Sequence, residues 1–429
     1  MDLYERLQAM RLRTERTGES APSAKNAPGR DLSSIQPGPD WTCAANGVWF
    51  RETRFPVPDE YRDQLTKNDG RWGPLSPALG RGAYATPLFF DLETTGLSAG
   101  SGNVAFLAGF GSFLCGRSNS TPQIAVRQYF LSDYGSEHDF VEAMLREMRG
   151  SGIAGSESLL VSYNGSSFDL PVVSTRCIMN GLQPPVPLHL DLLPVSRRLW
   201  KTLLPDCRLS TIETRVLNLE RDEDIPGALA PYRYHEFHRT ADPSVLREVF
   251  SHHRYDIRNL AFTGMRITRL LATDAPEILK ERVDAGAVSR ILYERGDADD
   301  RARAIRIMDS ILDGGAATAA YGETLRYRAF LEKRKRNATT ALRLFTELWK
   351  VTGRSQDGVE VAKLLEHRFS RYSDALAVCH RIEGGQRLRE RERTALARRM
   401  ERLITRVPRF DPELPDGRPQ DTPGRTVPS

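Results

Sequence analysis

The stretch Pro87-Leu88-Phe89-Phe90-Asp91-Leu92-Glu93-Thr94-Thr95-Gly96-Leu97 limits the possible folds more than any other part of the chain. Its apolar start is the kind of run needed by a strand buried on both faces, so it belongs inside a covered sheet. The strand then carries two carboxylates one residue apart. Side chains at i and i+2 of a strand point the same way, so Asp91 and Glu93 share a face. Like charges held that close repel, and a hard divalent cation such as Mg²⁺ or Mn²⁺ is the usual remedy. Thr94-Thr95-Gly96 ends the strand, and Gly96 permits a tight turn beside whatever binds there. By itself, an Asp-x-Glu is most often just a strand that ends in acidic residues.

The rest of the composition restricts the surroundings. The 429 residues can hold two domains with tails, and 40% hydrophobic residues are enough for real cores. No apolar run has the length of a bilayer span, and the N-terminus lacks the apolar segment of a signal peptide, so no membrane role and a cytoplasmic location are expected. Cys43, Cys115, Cys177, Cys207 and Cys379 are scattered without a C-x-x-C pair, which reads as reduced core cysteines rather than disulfides or a zinc site. The net charge of +5, from 61 basic and 56 acidic residues, does not announce a nucleic-acid binder.

Along the chain, residues 1–39 read as a short helix over 1–12 followed by a flexible Ser/Pro/Gly-rich linker. A β lead-in follows at Val48-Trp49-Phe50 and Arg54-Phe55-Pro56. The periodicities then predict three antiparallel strands ending near Glu93, over 104–110 and over 124–129. A helix over 137–149, a buried strand over 159–163, a helix over 169–180 and a short strand over 188–191 come next. That order implies an α/β domain over 40–272, a mixed sheet flanked by helices. Residues 275–404 read as all-α and repetitive. Ala304, Ala341 and Ala375 open similar phrases 37 and 34 residues apart, the period of tetratricopeptide-like helical repeats. Residues 405–429 read as a disordered tail.

Two further acidic positions stand out. Asp169 follows a buried strand in Asn164-Gly165-Ser166-Ser167-Phe168-Asp169, and alone it would be a first-turn carboxylate favoured by the helix dipole. Asp256 lies in His252-His253-Arg254-Tyr255-Asp256, with His252 its i−4 neighbour on one helix face.

Together, Asp-x-Glu on the first long strand, Asn-x-x-x-Phe-Asp after a later strand and His-x-x-x-Asp on a closing helix resemble the three exonuclease motifs of the DEDD superfamily, which has a ribonuclease-H-like fold. Within it the chain is most similar to the YprB-like ribonuclease-H-like family, in which such a domain is paired with tetratricopeptide repeats. Asp191-Leu192-Leu193, Arg197 to Trp200, Cys207 to Glu213, Arg221 to Gly227 and Tyr232-Arg233-Tyr234 add to the likeness.

The resemblance implies a 3′→5′ exonuclease that hydrolyses the phosphodiester bonds of DNA or RNA with two Mg²⁺ or Mn²⁺ ions. Asp91, Glu93 and Asp256 would hold one ion, and Asp91 with Asp169 the second, so that the attacking water and the leaving oxygen are clamped in line. His252 would orient or deprotonate that water. Thr94, Gly96, Leu97, Asn164 and Phe168 would line or support the substrate site, and the repeats could engage a protein partner. One departure is notable. The residue four before the last aspartate is commonly tyrosine in this superfamily, and its histidine branch places the base five before. Here Ser251 is five before and His252 four before. His253, one residue round the helix, is expected to point elsewhere. The alternative is a catalytically inactive ribonuclease-H-like module that binds nucleic acid and uses the repeats as an interaction scaffold. Lys333-Arg334-Lys335-Arg336 reads as a solvated loop rather than a phosphate contact.

Overall fold

The computed structural model describes residues 31–67, 85–96, 102–114, 121–150, 158–221, 225–315, 320–385 and 388–407. The expected helix at 1–12, the linker as far as residue 30 and the tail from 408 lie outside them. The chain divides into two compact units, Met1–Ala272 and Thr273–Ser429.

In the first unit the described strands are β1 (Thr42–Ala45), β2 (Val48–Pro56), β3 (Thr86–Thr94), β4 (Ala105–Leu114), β5 (Gln123–Leu131), β6 (Ser158–Ser162) and β7 (Leu188–Asp191). They form one sheet in the order β1-β2-β5-β4-β3-β6-β7. Pairings from β1 to β3 are antiparallel, whereas β3–β6 and β6–β7 are parallel. The expected three-strand meander is therefore β3-β4-β5, and the β lead-in extends it as an outer hairpin. The helices are α1 (Arg62–Lys67), α2 (Glu137–Gly150), α3 (Asp169–Met179), α4 (Leu192–Trp200), α5 (Leu209–Arg215), α6 (Ala230–Thr240) and the long α7 (Arg247–Ala272). A mixed sheet flanked by helices is the ribonuclease-H-like arrangement.

The strand alternation sorts β3 between two cores. Leu88, Phe90 and Leu92 pack with Phe140, Val141 and Met144 of α2 and with Val172, Val173 and Cys177 of α3. The opposite face, which carries Phe89, Asp91 and Glu93, is turned to α7. On that side Trp41, Phe106 and Phe130 pack with Tyr234 and Phe237 of α6 and with Val249 and Phe250 of α7. Part of the stretch expected to be a flexible linker is ordered. Leu32 is buried in this second core, with Ile35 packed against it, and its amide donates to Asp133 Oδ2 at 3.1 Å. Two apolar residues within four positions were enough to dock this segment, against the overall polar composition of the linker.

The second unit is helical: α8 (Ala285–Arg295), α9 (Ala298–Asp313), α10 (Tyr321–Arg334), α11 (Ala338–Thr352), α12 (Ser355–Arg368), α13 (Tyr372–Gly385) and α14 (Glu390–Ile404). The recurring Ala304, Ala341 and Ala375 are fully buried on α9, α11 and α13, the second helix of each successive pair. Small residues there let neighbouring helices approach closely. In the basic run, Lys333 and Lys335 face carboxylates of this unit, Glu360 and Glu332. No described helix is long and apolar enough to cross a membrane. Cys43, Cys177, Cys207 and Cys379 are free thiols.

Candidate active site

Asp91 stands opposite Gly109 in the β3–β4 register, and the bare backbone of β4 determines how close α7 comes. A Cβ on Gly109 would lie 2.5 Å from His253 Cε1 and 2.9 Å from Ile257, and one on Gly111 would lie 2.7 Å from Ile257 Cγ2. No side chain fits either gap, so α7 rests directly on β4 and carries residues 252–256 over the tip of β3.

His253 is buried at this contact. Its Nε2 lies 3.2 Å from the Asp91 carbonyl oxygen, to which it donates, and 3.8 Å from Asp91 Oδ2. Its Nδ1 accepts from Gln128 Nε2 at 3.0 Å, while Gln128 Oε1 accepts from Arg51 Nη2 at 2.6 Å. Burial pulls His253 down to about 4, so the ring is neutral and braces the backbone of Asp91 from behind. His253 does leave the face shared by His252 and Asp256, but the side it takes is the underside of the site.

Asp169 arrives from the other flank. The β3–β6 pairing ends at Phe89↔Val161, and beyond it the Leu92 amide donates to the Asp169 carboxylate. The preceding loop is tight. Asn164 has φ +70°, and a Cβ on Gly165 would lie 2.2 Å from Ser162 Oγ and 3.2 Å from Asp169 Oδ2. Asp191 holds this loop from β7, accepting from the amides of Asn164 at 2.8 Å and Ser166 at 3.2 Å. Burial raises Asp169 to about 7, with the Asp191 charge adding to the shift. Asp91 is pushed well above the usual carboxylate range by burial and then by the charges of Asp169, Asp256 and Glu93.

Asp256 behaves in the opposite way. Burial would raise it, but His252 and Arg221 bring it down to about 2. His252 Nε2 lies 3.1 Å from Asp256 Oδ2, and the Arg221 guanidinium donates to Asp256 Oδ1. Arg221 Nη1 also donates to His252 Nδ1 at 3.2 Å, which assigns the His252 proton to Nε2. Behind it, Glu213 receives Arg221 Nε at 2.8 Å and Nη2 at 2.5 Å.

Glu93, His252 and Asp256 each offer a ligand atom, all within 4.8 Å of one another. That is the spread of donors around one ion with bonds of about 2.0–2.6 Å, and carboxylate oxygens beside an imidazole are donors a divalent cation accepts. The donor set therefore fits a divalent cation. The structure thus brings together Asp91, Glu93, Asp169, Asp256 and His252, which lie up to 165 positions apart.

The residues expected to line the substrate fare differently. Leu97 lies outside the described residues. Thr94 is buried, and its hydroxyl donates to the Gly96 carbonyl at 2.7 Å and accepts from Asn103 Nδ2 at 3.2 Å. It shapes the turn and presents no side chain to a ligand. Gly96 is half-buried in the same turn, Asn164 is exposed and Phe168 is half-buried at the start of α3. Sequence reasoning missed Arg221, Glu213 and His253 as parts of the site, although Arg221 and Glu213 fall in stretches that carried the resemblance.

A family described as the RNase_H superfamily matches residues 88–264. The chain is similar to the protein described as "Uncharacterized protein YprB" of Bacillus subtilis (strain 168), with 29% identity over 326 residues that cover 73% of each chain. Among solved structures it is similar to the family B DNA polymerase of the hyperthermophilic archaeon Pyrobaculum calidifontis, at 14% identity and a TM-score of 0.32. That match covers 59% of this chain and spans only 34% of the polymerase. It is also similar to E. coli exonuclease I in complex with a dT13 oligonucleotide, at 15% identity and a TM-score of 0.25, covering 75% of this chain and 98% of that one.

Proposed function

We propose that this chain is a divalent-metal-dependent nuclease of the YprB-like family that hydrolyses DNA or RNA from a 3′ end. The supporting observation is the convergence of carboxylates from β3, α3 and α7 on one buried site, where burial first and then the charges of Asp169, Asp256 and Glu93 hold Asp91 well above its ordinary range. A site that only packed or only bound phosphate would gain nothing from such crowding.

In this reading Asp91 and Glu93, fixed on one strand face, form the rigid side of the site. Asp256 closes it from α7 and Asp169 from the start of α3. A pair of Mg²⁺ or Mn²⁺ ions bound there would supply Lewis-acid stabilisation of the phosphodiester oxygens. Asp169, raised to about 7, gives up its proton when the site takes up cations, so loading favours neutral to alkaline pH. His252 would receive the proton of the attacking water at Nε2, which requires the ring to carry its own proton at Nδ1. The turn of Thr94 to Gly96 and the loop of Asn164 to Phe168 flank the entrance. The helical unit, read as tetratricopeptide-like, is assigned to a protein partner, and the reduced thiols fit a cytoplasmic setting.

The test is incubation of the purified chain with 5′-labelled single-stranded DNA and RNA in Mg²⁺ or Mn²⁺. A ladder shortening from the 3′ end is expected, and Asp91→Asn should abolish it. No product with either metal between about pH 6 and 9 would refute the assignment. The contact of Arg221 with Asp256 and His252 favours a second reading, a binding module without cleavage. Under that reading, Asp91→Asn would leave divalent-ion uptake unchanged.

A further inference from the structure

The Arg221 guanidinium is an unusual neighbour for a carboxylate expected to hold a metal. Its side chain is 8% exposed and that of its partner Glu213 only 2%, so this charge is built into the protein interior. Among the described residues one guanidinium serves two carboxylates: Nη2 is shared between Glu213 Oε1 and Asp256 Oδ1, while Nε reaches Glu213 Oε2 at 2.8 Å. The contacts to the two sides are unequal in kind. Glu213 is gripped by two nitrogens on its two oxygens, the fork geometry that guanidinium and carboxylate favour, whereas Asp256 is touched at one oxygen. Arg221 can therefore give up Asp256 and keep its anchor.

We infer that Arg221 gates cation loading: the guanidinium and a divalent ion contend for Asp256, and Glu213 retains the guanidinium when the ion wins. The inference rests on the metal-centre reading above and adds the element that regulates it. An ion bound to Glu93 and Asp256 would sit beside a positive charge, so it binds well only when that charge is drawn toward Glu213. Release of Asp256 has a second effect. The same side chain donates to His252 Nδ1, and withdrawal of Nη1 lets the ring move its proton to Nδ1, exposing the Nε2 lone pair to the site. Cation binding and the arming of His252 are thus coupled through one residue.

Because two buried groups of opposite charge are involved, the gate and a simple structural role predict different signs. Mn²⁺ is titrated into the full chain, with uptake followed by calorimetry and by the paramagnetic resonance signal of free Mn²⁺. Arg221→Gln should bind Mn²⁺ about tenfold tighter than wild type, and Glu213→Gln, which leaves the guanidinium to Asp256, about tenfold weaker. Glu213→Gln/Arg221→Gln also removes the Glu213 charge that Arg221→Gln alone would strand in the interior, so it should fold and bind tightly even if Arg221→Gln alone does not fold. Equal or weaker binding in a folded Arg221→Gln or in the double variant overturns the gate. If Mn²⁺ uptake is absent from wild type and from every variant, or wild-type uptake is indifferent to Asp91→Asn, the metal-centre reading itself fails. Loss of affinity in both single variants alike marks a purely structural pair.

Discussion

Replacing Asp169 with asparagine should stabilise the protein while destroying its proposed activity. The carboxyl is 4% exposed and stands near 7 instead of its ordinary 3.8. Because the folded value lies above the unfolded one, the protonated form favours folding. That contribution is complete below about pH 4 and is lost as the pH rises through about 7. At pH 8 the ionised group costs about 3 units at 1.36 kcal/mol each, or about 4 kcal/mol. Asparagine keeps an oxygen to accept the Leu92 amide and removes the charge, so a gain of about 2–4 kcal/mol is expected. For a unit of this size that raises Tm by roughly 5–15 °C. The assay is thermal unfolding in EDTA from pH 8 to pH 5, wild type against Asp169→Asn. The variant should melt higher at pH 8, and the gap should narrow steadily as the pH falls. With saturating Mn²⁺ the order should reverse, because wild type gains binding energy that the variant cannot. A variant that melts lower at pH 8 in EDTA, or a gap that ignores pH, would show that Asp169 is not held under charge strain.

Gly109→Ala places a methyl group 2.5 Å from His253 Cε1 and should cost about 1–3 kcal/mol in urea unfolding, together with most nuclease activity, as α7 is lifted from β4. Unchanged stability would mean that the close approach of α7 is not required. His252→Ala should lower the cleavage rate by about 10²–10⁴ with the fold intact, and Asp256→Ala should abolish it. If the first variant cleaves like wild type and the second does not, His252 is not the base.

Much of this was legible from local pattern. That Asp91 and Glu93 share a face follows from the two-residue period of a strand. The apolar run before them requires a sheet covered on both sides, as the cores built on Leu88 and Phe90 and around Phe106 confirm. The helix periodicity likewise placed His252 and Asp256 one turn apart, and the structure has them 3.1 Å from each other. Such features depend on neighbours within a few positions, and the chain geometry alone determines them.

Other features were settled only when distant segments met. Thr94 looked ready to face a ligand, yet Asn103 across the turn draws its hydroxyl inward. Leu32 lay in a polar stretch whose composition argued for a free linker, and only the presence of Trp41 and Phe250 gave it somewhere to dock. Gly109 reads as one small residue among many until His253, 144 positions later, occupies the space its missing side chain leaves. Arg221 and Glu213 carry no periodic or spacing signal toward Asp256, because a buried charge finds its partners by proximity in the folded chain. The residues that can hold a cation were therefore written in the sequence, whereas the charge that opposes the cation was decided by packing.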